Sequence, residues 1–152
     1  MELITDITAR CEALRQDKSL RNIYALTNQN PDRVAAHYLE NDEEKTITFA
    51  QYGRMVGAWA AFLASAAGES KRGRFIAIQL DTCKEWYAVF WALVQAGYNP
   101  LLLDAGLNDE MTAFMLREGG AVGLIGKKRR KLPEDILQIM TEDLFRAPQA
   151  DP

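Results

Sequence analysis

Residues 75–125 read FIAIQLDTCKEWYAVFWALVQAGYNPLLLDAGLNDEMTAFMLREGGAVGLI, and this stretch decides the fold. It holds three short apolar runs, 75–80, 101–104 and 122–125, each bounded by turn residues. Such runs, without polar alternation, predict strands buried on both faces. Between the first two lies the segment 86–94, apolar on every side, which predicts a helix covered on more than one side. Asp81 or Thr82 is placed to begin that helix, with Glu85 completing a capping box, and Gly97 suits the left-handed residue after its end. Asn108 is placed to cap a second helix through Met111, Phe114 and Met115, ended by Gly119-Gly120. An order of strand, helix, strand, helix, strand predicts a parallel sheet closed by right-handed crossovers. Residues 136–140, set off by Pro133, are a candidate fourth strand.

Working back toward the N-terminus, Thr48 and Gln51 have capping-box spacing, with Ile47 and Tyr52 at the two staple positions around it. The helix they open continues through Met55, Val56, Trp59, Phe62 and Leu63 on one face. Before it, residues 34–39 and 45–48 flank the polar turn 41–44 and predict a small β-hairpin. Leu3, Ile4, Ile7, Cys11 and Leu14 form an apolar helical stripe, and Ser19 is placed to cap a second helix carrying Leu20, Ile23, Tyr24 and Leu26. The expected organisation is N-terminal helices over 1–30, an α/β subdomain over 31–146 and a linker-like tail over 147–152. The fold class is α/β: a mainly parallel sheet flanked by helices, with a small N-terminal β-hairpin.

Composition narrows the function. The chain has 152 residues, 48% hydrophobic and 26% charged, with a net charge of −3. That is globular composition, and a chain of this size needs no disulfide or metal to build a core. A mildly acidic chain gains little from neutralising phosphates, so no nucleic-acid partner is expected. Cys11 and Cys83, with the single His37, cannot by themselves build a tetrahedral zinc site. Sparse cysteines suggest free thiols in a reducing compartment. The longest apolar run would make about 13 Å of helix, too short for a ~30 Å hydrocarbon core. No signal-peptide pattern opens the chain, and a soluble, cytoplasmic protein is expected.

The candidate chemistry is thin. His37 lies in an alternating strand pattern and reads as a surface residue. Asp81 and Asp104 both follow predicted parallel strands, at the end of the sheet where open α/β folds bind ligands. Two carboxylates could face one crevice there, although Asp81 also suits a helix cap and Asp104 a turn. Cys83 falls in the expected first turn of a helix, where the dipole lowers a thiol pKa, but no base accompanies it. The run Lys127-Lys128-Arg129-Arg130-Lys131 resembles a nucleic-acid or nuclear-targeting patch in isolation, but in an acidic chain it reads as a solvated loop, with a phosphate-contacting loop of a larger enzyme as the lesser alternative. No Gly-x-Gly-x-x-Gly, no P-loop and no Gly-x-Ser-x-Gly elbow is present. No catalytic, cofactor-binding or metal-binding residue is assigned. On the residues alone, a stand-alone flavodoxin-like binding or signalling module stays open, resting on Asp81 and Asp104.

Two longer stretches carry a resemblance. PDRVAAHYLE (31–40) with KTITFAQYGRMVGAWAAFLASA (45–66), followed by residues 73–126, resembles in order the start of the adenylate-forming superfamily, the AMP-binding acyl-CoA synthetases and ligases. The shared features are an Ile-Thr-Phe helix start, an Asp-Thr-x-x-Glu-Trp turn and a helix ending in Gln-Ala-Gly. Two departures stand out. Gly73-Arg74 replaces the family's Gly-Asp, and Leu101-Leu102-Leu103-Asp104-Ala105 replaces Val-Pro-Leu-Asp/Asn-Pro, with the proline moved to Pro100. The resemblance implies the N-terminal subdomain of an ATP-dependent acid–CoA ligase. Such an enzyme activates a carboxylic acid, fatty acids among them, as an acyl-adenylate with ATP and Mg²⁺, then passes it to coenzyme A. The family's phosphate loop and catalytic Lys come after the matched region. The chain is therefore expected to be inactive alone, to form part of the substrate-site wall, to need the remainder of the enzyme as partner, and to self-associate through exposed apolar surface.

Overall fold

The computed structural model describes residues 2–148, with side chains from residue 6 onward. The side chains of Leu3 and Ile4, and residues 149–152 of the expected tail, lie outside that description. Contacts divide the chain into two compact units, Met1–Gln51 and Tyr52–Pro152.

The first unit holds helices α1 (Glu2–Gln16) and α2 (Leu20–Thr27) and the hairpin of β1 (Val34–Glu40) and β2 (Glu43–Thr48). Ser19 caps α2 as expected, its Oγ accepting from the Asn22 amide at 3.2 Å. Asn41 and Asp42 join the strands with φ of 53° and 63°, the left-handed pair of a tight two-residue hairpin turn. The described members of the α1 stripe, Ile7, Cys11 and Leu14, are exposed. Periodicity predicts which side of a helix is apolar, but not that anything covers it.

Helix α3 (Phe49–Ala67) starts at the end of the hairpin. Its capping box forms in full. The Thr48 amide donates to Gln51 Oε1 at 2.7 Å, and the Gln51 amide donates to Thr48 Oγ1 at 3.3 Å. Ile47 and Tyr52 are both buried, as staple residues should be.

The second unit is built on a four-stranded parallel sheet in the order β4-β3-β5-β6, from β3 (Phe75–Gln79), β4 (Asn99–Leu102), β5 (Ala121–Gly126) and β6 (Leu137–Met140). Helices α4 (Trp86–Ala96) and α5 (Asp109–Glu118) make the first two crossovers, and α6 (Thr141–Phe145) follows β6. Because the strand order reverses after β4, right-handed crossovers put α4 and α5 on opposite faces of the sheet. On one face Ala77, Leu103, Ala121 and Leu124 pack with Leu116 of α5. On α3, Tyr52 meets Tyr87 of α4 at 4.6 Å between ring centroids, and Trp59 stacks on Phe145 of α6 at 4.9 Å. Helix α4 is covered as its composition demands, with Ala88, Val89, Trp91, Ala92, Leu93, Val94 and Ala96 all buried. Trp86, Tyr87 and Phe90 of α4 stay partly exposed. The more exposed large apolar side chains of this unit are Phe75, Leu102, Met111, Phe114 and Met115.

Three local expectations are corrected. Helix α4 begins at Trp86, not at Asp81 or Thr82, and Glu85 makes no side-chain capping bond. The Tyr52 hydroxyl donates to the Lys84 carbonyl at 2.7 Å, occupying an acceptor that an earlier helix start would use. Strand β4 begins at Asn99 and ends at Leu102, so Pro100 lies inside an edge strand, where a missing N–H is tolerated. Gly97, with φ of 90°, closes α4 in the left-handed conformation and lets β4 start almost at once. Finally, Arg130 is not solvated: its side chain is only 7% exposed.

Candidate functional site at the carboxyl end of the sheet

Numbering only the parallel strands, the order is 2-1-3-4, as at the start of doubly wound folds. The switch point lies between the carboxyl ends of β3 and β5, where Gln79 pairs with Gly126. The residues just beyond are Leu80, Asp81 and Lys127. Asp81 Oδ2 and Lys127 Nζ face each other across this point at 3.4 Å, with side chains 72% and 59% exposed. A pair so solvated contributes about 1 kcal/mol at most. What it marks is position, since both residues follow strand ends at the switch point.

Asp104 behaves differently. Its Oδ1 accepts from the Gly106 amide at 2.6 Å, closing the turn after β4. A Cβ at position 106 would lie 3.1 Å from that oxygen, which favours glycine there. Asp81 and Asp104 thus have separate partners, and no hydrogen bond joins them into an acid pair. The turn reading of Asp104 holds.

Below the rim lies Gln79, 5% exposed at the end of β3. Its Nε2 donates to the Asp104 carbonyl at 2.9 Å and to Thr112 Oγ1 at 3.0 Å, tying β3, the β4 turn and α5 together. Its Oε1 has no donor among the described residues. A buried acceptor left this way costs free energy. Sequence reasoning missed Gln79 and Thr112. The available signal was a single amide at the end of an otherwise apolar strand.

The basic run divides. The Arg130 guanidinium turns inward, donating to the Leu107 carbonyl at 2.8 Å and Asp109 Oδ1 at 3.0 Å. The Arg130 amide and carbonyl are both held by the Gln138 side chain, at 2.8 and 3.1 Å. The Lys131 amide donates to Asp109 Oδ2 at 3.1 Å. That amide first, and the Arg130 guanidinium second, hold the Asp109 carboxyl below its usual range. Lys127, Lys128, Arg129 and Lys131 stay exposed.

The other candidates lie elsewhere. His37 is an exposed strand residue whose Nδ1 sits 2.9 Å from Glu44 Oε1 across the hairpin. Cys83 is half-buried in the turn before α4, outside the helix in whose first turn it was expected. Burial first, and the Glu85 charge second, push its thiol pKa up, the reverse of activation. No group of three or more His, Cys, Asp or Glu among the described residues is placed to hold a metal ion. No helix among them is long and apolar enough to cross a membrane.

Comparison with known proteins follows the same lines. The family model described as AMP-binding enzyme matches residues 24–148. No curated protein matches the chain significantly in sequence. Among solved structures, the N-terminal subdomain of Klebsiella oxytoca NpsA in complex with 3-hydroxybenzoyl-AMSN aligns with a TM-score of 0.76 at 20% identity, covering 88% of this chain and 33% of that one. Klebsiella oxytoca NpsA in complex with 3-hydroxyanthranilyl-AMSN aligns with a TM-score of 0.72 at 22% identity, over 84% and 26%. The nonribosomal peptide synthetase FmoA3, in a form bound to α-methyl-L-serine-AMP, aligns with a TM-score of 0.65 at 19% identity, over 81% and 14%. At such identities the likeness is one of fold. The chain spans about a third of the NpsA N-terminal subdomain structure.

Proposed function

We infer the function from one premise: the chain belongs to the AMP-binding enzyme family. Its fold is that of part of an adenylation-type N-terminal subdomain. We propose that it serves as one wall of the substrate site in an enzyme that activates a carboxylic acid. In the whole enzyme the carboxylate would attack the α-phosphate of ATP, with Mg²⁺ and release of pyrophosphate. The acyl group of the adenylate would then pass to the thiol of coenzyme A, releasing AMP.

The observation that carries this reading is the match over residues 24–148, together with a parallel sheet whose switch-point rim is lined by Asp81 and Lys127. The residues present do not fit a triphosphate. The chain has no glycine-rich phosphate loop, and the rim offers one cation already facing a carboxylate. No step of adenylation is therefore assigned to a residue of this chain, and inactivity alone is part of the proposal. Adenylation needs preorganised donors around the α-phosphate and the leaving pyrophosphate. Exchange of labelled pyrophosphate into ATP, assayed over a panel of carboxylic acids, tests it. The expected result is no exchange by the 152-residue chain. Exchange by that chain alone would overturn the assignment.

A further inference from the structure

We propose that the loop 127–131 is a docking surface for an acidic protein partner. Five of the 18 Lys and Arg residues fall in these five consecutive positions, in a chain whose net charge is −3. Left flexible, such a run would spread its like charges apart. The structure instead fixes it. Arg130 is drawn inward onto Leu107 and Asp109, its backbone is gripped on both sides by Gln138, and Lys131 is anchored through its amide to Asp109. The remaining cations are thereby held outward. Lys128 and Arg129 are exposed and form no ion pair among the described residues, the Lys128 charge acting on Asp109 only at longer range, and Lys127 faces Asp81 at 3.4 Å.

The same clamp points to the kind of partner. A small phosphate is held by several donors converging on one point, with backbone amides prominent among them. Here the amides of Arg130 and Lys131 are already taken, by Gln138 Oε1 and Asp109 Oδ2. Beside this anchored pair stands a row of exposed side-chain charges, Lys127, Lys128 and Arg129. That arrangement suits an extended anionic protein surface, which needs fixed potential more than an enclosed cradle. An overall acidic chain repels nucleic acid outside this patch. The inference does not depend on the adenylation reading and can fail separately from it.

The test uses the full chain and a fluorescent decaglutamate peptide, read by anisotropy at low ionic strength. The expected result is binding that weakens with added salt and falls at least about tenfold in Lys128→Glu/Arg129→Glu. Both substitutions are at exposed positions, and an unchanged thermal melt would show that the fold is kept. Absence of binding, or equal binding by the double variant, would overturn the proposal. Displacement of the peptide by coenzyme A or pyrophosphate at matched charge would reassign the loop to a small anion. Tighter binding of duplex DNA than of the peptide would reassign it to nucleic acid.

Discussion

Arg130 shows how one side chain can contradict its sequence neighbours. Nothing in a run of five cations marks the fourth as buried, because the acceptors it meets come from residues 107 and 109. Arg130→Gln removes charge-assisted bonds from a buried position and should destabilise the second unit by about 2 kcal/mol, read from urea unfolding. The Asp109 carboxyl adds a pH signature. Its folded pKa lies below the usual 3.8, so the bonds it accepts contribute stability above that value, and the contribution is lost as pH falls through the folded pKa. The gap in stability between wild type and Asp109→Asn should therefore be full at neutral pH and close below about pH 4. A gap that stays constant down to acid denaturation would refute the link. Gln79 makes the complementary case. Gln79→Glu places a charge in a site 5% exposed and should cost about 3 kcal/mol at neutral pH, less in acid as the new carboxyl protonates.

At the scale of elements, local chemistry proved the better guide wherever a bond closes within a few residues. The box of Thr48 and Gln51 formed because both partners lie within one helical turn. Thr48→Ala should lower stability by about 1 kcal/mol. Two glycines separate backbone need from mere presence. Gly97 has φ of 90°, so Gly97→Ala should destabilise by about 1 kcal/mol. Gly57 lies inside α3 with nothing within 4 Å of an added Cβ, so Gly57→Ala should stabilise by about 0.5–1 kcal/mol. Thermal melts of the two variants should move in opposite directions. The start of α4 was misread because the competing bond comes from Tyr52, 32 residues earlier, and no local pattern reports it.

For the whole molecule, the prediction concerns the exposed apolar residues of the second unit. Leu102, Met111, Phe114 and Met115 expose between 39% and 53% of their surface. The edge strands β4 and β6 each leave one side unpaired in the sheet. Both features favour association. Self-association of the 152-residue chain is the expected outcome in light scattering, and Phe114→Ser/Met115→Ser should reduce it. A monomer at high concentration would count against it.

The family entered through a resemblance carried by long stretches taken in order. The local pattern by itself determined the order of strands and helices as far as β6, the parallel sheet, the hairpin and the caps at Ser19, Thr48 and Asn108. These follow from apolar runs, turn residues and contacts that close within a few positions. Only the tertiary structure decided that Asp81 faces Lys127, that Asp104 closes a turn, that Gln79 is a buried tie and that Arg130 leaves its own basic run. Each of those outcomes depends on which distant backbone and side-chain groups the crossovers bring within hydrogen-bond reach, and a linear pattern carries no record of that distance.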